Sequence, residues 1–239
     1  MTIKIAVLTP YFGGMDYEHR RCMDELGKLP KSEDAEIHFV QISNWPWIDI
    51  AQSFLVDKTL KELPDTDIMF WIEHDMIFNP LDVPKLSRHC LDSEFDMLGA
   101  AYSQRTPGGK IVGSLKEENV EFFVPGLHAA NSCGFGFTAT KPSLYKSLRE
   151  LLPRVPCPAF EKHMAKEDSY TWPYFGHLTH PEYYGQDTSF CLRVLGAGKK
   201  IGIDAEFRVG HKGTYTYQIE DTGITVPRYE RLVVQKPVD

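Results

Sequence analysis

A chain of 239 residues, 42% hydrophobic and 25% charged, can bury a substantial core and falls within the size of one α/β domain. Its formal net charge of -7 argues against a protein whose main affinity comes from neutralising phosphates. Cys22, Cys90, Cys133, Cys157 and Cys191 are widely spaced with no CxxC pair, against a disulfide framework or zinc knuckle, and no apolar stretch reaches the ~18 residues of a membrane span.

The opening MTIKIAVLTPYFGG has no signal-peptide layout and enters a strand pattern at once. With the reduced-thiol reading it predicts a soluble, cytoplasmic protein without a membrane span. Residues 3–8 suit a buried strand, and Thr9-Pro10 hands over to a loop, Tyr11-Phe12-Gly13-Gly14. Asp16 is placed to cap a helix running to about Leu29. A second strand follows at 37–42. Ile48, Ala51, Phe54, Leu55 and Leu60 then mark a helix over 48–63.

Residues 67–72 are apolar at both alternating sets of positions, as a strand inside a covered parallel sheet should be, and lead straight into Glu73-His74-Asp75. A helix at 82–91 and a strand at 97–102 complete a strand-helix-strand order that predicts βαβ units. From Gly108 the texture changes. Residues 110–115 and 120–124 are expected to pair as a hairpin, and Cys133-Gly134-Phe135-Gly136-Phe137-Thr138 reads as a glycine-broken strand. A helix covers 142–152. Residues 153–185, rich in Pro, His and aromatics, show no steady period and are expected to form a long loop. A helix at 187–195, closed by Gly196 and Gly198, and a core strand at 201–203 follow. No repeat or linker interrupts the chain.

Three motifs carry chemistry. In extended chain, residues two apart face the same way, so Glu73 and Asp75 are expected to point together and His74 elsewhere. Paired carboxylates at the carboxyl end of a central strand suit Mg2+ or Mn2+ holding a diphosphate; the bland alternative is two solvated acids in a turn. Asp187, in Tyr184-Gly185-Gln186-Asp187-Thr188, is expected as an N-cap and also suits a general base. His211 lies between glycines in Val209-Gly210-His211-Lys212-Gly213 and can offer an imidazole to a metal. His74, His128, His163, His177 and His180, by context alone, read as structural or exposed. There is no GxGxxG, P-loop, GxSxG or HExxH pattern.

The order of these motifs resembles the GT-A fold glycosyltransferases, most closely their small family-2-like members, over about residues 3–213. The resemblance implies a single GT-A (Rossmann-like) α/β domain with a mostly parallel central sheet, helices on both faces and a smaller antiparallel portion. It divides the chain into a nucleotide-sugar-binding half at about 1–105, an acceptor and catalytic half at about 106–213, and an extension at 214–239. It implies Asp75, His211 and Glu73 as metal ligands and Asp187, with Gln186, as the catalytic pair. Thr9, Pro10, Tyr11, Gln52, His74 and Gly134 fall on the donor side, and Arg105, Lys212 or Tyr215 could assist the phosphates. Two positions depart from the pattern. Glu73 stands where the first Asp is usual, and Ser43-Asn44-Trp45-Pro46-Trp47 replaces an acidic pair that touches base and ribose.

The implied activity is metal-dependent transfer of a sugar from a UDP- or GDP-sugar to an acceptor hydroxyl, with Mn2+ or Mg2+ as cofactor and inversion through Asp187. A retaining transferase is the nearest alternative, and a non-catalytic nucleotide-sugar or nucleic-acid binding module is the rival from another class. Saccharides, proteins, small molecules and a modified nucleobase are all open as acceptors, the nucleic-acid one disfavoured by charge. Trp172, Tyr174, Phe175, Tyr183 and Tyr184 are expected either to stack on a sugar or base or to pin the long loop as a hydrophobic cluster.

Overall fold

The two apolar runs of the N-terminal half become neighbouring strands at the heart of one sheet. In a computed structural model, the described residues are 2–11, 13–14, 16–30, 35–45, 47–106, 108–118, 120–122, 124–157, 169–213 and 216–223. Their order is β1 (Ile3–Tyr11), α1 (Tyr17–Gly27), β2 (Ala35–Ser43), α2 (Ile48–Glu62), β3 (Ile68–Ile72), β4 (Met76–Ile77) and α3 (Asp82–Asp92). Then come β5 (Met97–Ala100), β6 (Gly113–Leu115), β7 (Leu127–Cys133), β8 (Phe137–Thr140), α4 (Pro142–Leu151), β9 (Val155–Pro156) and β10 (Tyr170–Thr171). α5 (Gln186–Gly196), β11 (Ile201–Asp204), β12 (Gly210–Lys212) and β13 (Thr216–Tyr217) follow, before a 3-10 turn at Ile219–Asp221.

The main sheet has the order β2-β1-β3-β8-β5-β11-β7-β6. β1 pairs in parallel with β2 and β3, and β11 with β5, whereas β8 runs against both β3 and β5. β3 is buried along its whole length because helices cover both faces. Cys22, Met23 and Leu26 of α1 and Val83, Leu86 and Cys90 of α3 pack on one face. Leu55 and Val56 of α2, Leu144 and Leu148 of α4, and Phe190 and Val194 of α5 pack on the other. Asp16 caps α1 as expected, its carboxylate accepting from the Glu18 N–H at 2.9 Å. A small antiparallel sheet, β13-β12-β4, closes over the carboxyl end of β3.

Several local expectations change. β1 runs on through Tyr11, in register with β2, so Thr9-Pro10-Tyr11 is strand and not loop. Its pairing with β3 ends at Leu8↔Trp71, so Pro10, lacking an N–H, sits where β1 has one neighbour. β6 pairs with β7 and not, among the described residues, with the 120–124 run. The glycine-broken strand is two strands: β7 leaves the sheet at Cys133, and β8 begins at Phe137 between β3 and β5. Gly134 and Gly136 make this crossing feasible. A Cβ at Gly134 would lie 2.2 Å from the Tyr102 hydroxyl, and one at Gly136 would lie 2.7 Å from Met76 Sδ. The five cysteines are free and buried. Among the described residues no helix is long and apolar enough to cross a membrane.

Candidate active site

The carboxyl ends of β1, β3 and β5 meet the start of α5 and the small sheet, and the motif residues gather there. Glu73 follows β3 and donates its N–H to the Gly136 carbonyl (3.1 Å). The chain then turns, Met76 N–H to Glu73 C=O at 3.2 Å, so the expected extended Glu73-His74-Asp75 segment is replaced by a turn. β4 after it must reverse to pair with β12, which forces the bend. His74 lies half-buried within that turn.

Asp75 is buried, and its Oδ2 faces Arg105 Nη1 at 2.6 Å and His211 Nε2 at 3.5 Å. His211 belongs to β12, not to a loop, and its flanking Gly210 is required for packing: a Cβ there would lie 2.5 Å from Thr216 Cγ2. Nδ1 of His211 donates to the Ser103 carbonyl at 2.9 Å, which anchors the ring with Nε2 facing Asp75. Burial opposes the charged form of Asp75, but His211, Arg105 and His74 outweigh it and hold the carboxyl below its usual range. Lys212 ion-pairs with Glu18 of α1, while Tyr215 lies outside the described residues.

Asp187 is the second residue of α5, with Gly185 as N-cap, so it does not cap the helix as expected. Its Oδ2 accepts the Phe135 N–H at 3.4 Å, and burial pushes the carboxyl up to about 6. Glu73 is raised well above the usual carboxylate range by burial first, then by the charges of Asp187 and Asp75. The carboxylates therefore share one electrostatic environment. The ligand atoms of Glu73, Asp75 and His211 nevertheless do not converge within 4.8 Å of one another; among the described residues only His89, Asp204 and Glu206 do so. That group is already engaged: His89 Nδ1 meets Asp204 Oδ2 at 2.7 Å, Asp204 Oδ1 accepts the Glu206 N–H at 3.0 Å, and Glu206 pairs with Lys85.

Two residues escape sequence reasoning. Tyr102, buried beyond β5, accepts the Gly136 N–H on its hydroxyl at 2.9 Å and meets His211 edge-on at 5.1 Å. It braces the glycine crossing against the imidazole, and its place at the end of the apolar 97–102 run was its one signal. His19 lies on the buried stripe of α1 with Cys22, Met23 and Leu26, a histidine amid apolar positions. Its Nδ1 donates to the Met76 carbonyl at 2.8 Å, and burial lowers its pKa.

On the donor side Thr9, Pro10 and Gln52 are buried and Tyr11 is half-buried, its carbonyl accepting the Asn44 N–H at 3.0 Å. Gly134 is occupied by packing against Tyr102. Thr9 Oγ1, both amide atoms of Gln52, His19 Nε2, Asp75 Oδ1 and Asp187 Oδ1 are buried with no hydrogen-bond partner among the described residues. In the long segment, Tyr174 and Phe175 are core, Phe175 stacking on Phe190 at 4.6 Å, and Trp172 is covered by Arg149. Tyr183 remains 70% exposed, stacked on His177. Residues 158–168 of this segment lie outside the described residues.

A mostly parallel sheet with helices on both faces and a small antiparallel sheet over its carboxyl edge is a GT-A-like α/β fold. No family model and no curated protein matches the chain. Among solved structures it is similar to A197 from STIV, with a TM-score of 0.60 and 16% identity over 93% of each chain, a likeness of fold alone. It is also similar to GalNAc-T7, solved with UDP, GalNAc and Mn2+ (TM-score 0.48, 10% identity, 92% of this chain and 45% of that one). A third is a glycosyltransferase involved in glycosylation of the major capsid of PBCV-1 (TM-score 0.36, 12% identity, 62% and 66% covered). The last two are too distant to bear on the chemistry.

Proposed function

We propose that the protein is a metal-dependent glycosyltransferase that moves a sugar from a UDP- or GDP-linked donor to an acceptor hydroxyl with inversion. One observation carries this reading: the buried, unpartnered polar atoms of Thr9, Gln52, Asp75 and Asp187 on elements that meet at one edge of the sheet. Each such atom costs ~1–3 kcal/mol when left unmade, so a polar ligand that completes them is the economical account. In α/β sheets that ligand binds at the carboxyl ends of the strands.

In this reading residues 1–105 take the donor, with Thr9, Pro10, Tyr11, Gln52 and His74 around the nucleotide, and residues 106–213 supply the acceptor side. Asp75 and His211 fit a divalent cation, an oxygen and an anchored imidazole facing one another, with an unpartnered Oδ1 beside them. Glu73 stands apart from that pair and acts through water. When bound, Mn2+ or Mg2+ supplies positive charge against the departing diphosphate. Asp187, raised to about 6, is ionised at neutral pH yet basic enough to accept the acceptor's proton. The bond from the anomeric carbon to the diphosphate breaks, a bond to the acceptor oxygen forms, and the hydroxyl proton passes to Asp187.

The test is a screen for Mn2+-dependent turnover of UDP-, GDP- and TDP-sugars with the full chain, alongside D75N and D187N. We expect turnover of one donor, loss of donor binding in D75N, and loss of transfer with donor binding kept in D187N. Full turnover in both variants would overturn the site, and no binding of any nucleotide sugar would overturn the reading.

A further inference from the structure

Arg105 and His211 both address the same oxygen of Asp75, Oδ2. The guanidinium, at 2.6 Å, is the nearer, and Oδ1 is left without a partner. Arg105 stands on a loop whose base is fixed. Gln104 N–H donates to the Lys110 carbonyl and Gly109 N–H to the Thr106 carbonyl, both at 2.9 Å, and Ser103 bridges to Ile111. The side chain itself is half exposed, so it can move while the loop stays put. Of a guanidinium's five N–H donors, one on Nη1 is committed to Asp75, and the others have no partner among the described residues.

We infer that Arg105 is a displaceable counter-ion: it neutralises Asp75 until a divalent cation takes Oδ2, then turns its guanidinium fork to the diphosphate of the nucleotide. The inference rests on the metal reading above. A cation seated between Oδ2 and His211 Nε2 would stand against the guanidinium already on that oxygen, and two like charges at one carboxylate repel, so the cation competes with Arg105 for Asp75. A diphosphate matches the released guanidinium in charge and in planar, bidentate geometry. The cation alone must therefore break an ion pair, and the diphosphate gives the displaced arginine a new partner. Metal and nucleotide become positively coupled, and the coupling is reciprocal.

The test is Mn2+ titration followed by electron paramagnetic resonance, with and without saturating UDP or GDP, on the full-length wild type, R105M, R105K and D75N. R105M keeps the side chain's length without its charge and, at a half-exposed position, leaves folding intact. It should bind Mn2+ alone at least about fivefold tighter than wild type and lose most of the tightening that nucleotide confers. R105K, keeping charge but not the fork, should bind Mn2+ alone as weakly as wild type and show reduced coupling. Equal or weaker Mn2+ binding by R105M, or undiminished coupling, overturns the exchange. If wild type binds Mn2+ but D75N binds it equally well, the metal site itself is misplaced, a failure distinct from the first.

Discussion

Helix α2 carries two polar clusters, buried at Gln52 and half-buried at Asp57, that behave in opposite ways. Asp57 is fully answered: its Oδ1 accepts from Arg149 Nη2 (2.7 Å) and the Tyr174 hydroxyl (3.0 Å), and its Oδ2 from Thr171 Oγ1 (2.7 Å). Arg149 donates through Nε to the Tyr174 hydroxyl at 2.6 Å and lies 4.2 Å over the Trp172 ring. Gln52, on the same helix, has neither amide atom answered, Thr9 lacks a partner for Oγ1, and Asp75 and Asp187 each lack one for Oδ1. A cluster that satisfies itself holds residues 170–175 against α2 and α4. One that does not is arranged for something that arrives later. Burial of charge alone does not separate the two; completeness of hydrogen bonding does.

The contrast predicts opposite effects of substitution. D187N should lower transfer by about two to four powers of ten, the range for removing a general base, with the fold intact. D57A should do the reverse, costing about 3 kcal/mol of stability in urea denaturation because Arg149 loses its ion-pair partner, and leaving the activity of the folded fraction unchanged. If D57A also abolished donor binding in folded protein, the division between the clusters would be wrong.

D187N should also stabilise. Burial raises Asp187 to about 6 in the folded chain, against ~3.9 unfolded, so folding favours its protonated form. The destabilising charge is absent below about pH 4 and fully present above about pH 6. D187N should therefore be up to about 3 kcal/mol more stable than wild type at pH 8, with the gap closing by pH 4, as chemical denaturation across pH would record. A gap that widens on acidification contradicts it. The smallest effect concerns the glycine crossing. Y102F leaves the Gly136 N–H without its acceptor, a loss of about 1–2 kcal/mol. G134A should cost more, since its Cβ meets the Tyr102 hydroxyl, and the double variant should cost less than the sum because that oxygen is gone.

The helices and parallel strands were legible because each writes its own period: the all-apolar 67–72 run, the 48–63 stripe, the Asp16 cap. Asp75, Asp187 and His211 were legible as residue types placed after a strand, before a helix and near the end of the chain. What decides their geometry was not. β4, β12 and β13 span two or three residues each and exist only because they find one another across the fold. They bend Glu73-His74-Asp75 out of the extended form that the two-residue spacing suggested. The 133–138 run looked like one strand because nothing local says that Tyr102 fills the place of two missing side chains. Tyr174 and Phe175 looked like candidate ligand platforms until packing made them core.

The central claim is that the unanswered edge receives a nucleotide with its cation, and thermal unfolding with UDP or GDP plus Mn2+ tests it most directly. At a hundredfold excess over the dissociation constant, binding adds about 2.7 kcal/mol of stability. Wild type and D57A should both gain that increment and D75N should not. A wild type whose unfolding is indifferent to every nucleotide and cation combination, or a D75N that gains as much as wild type, would contradict the account.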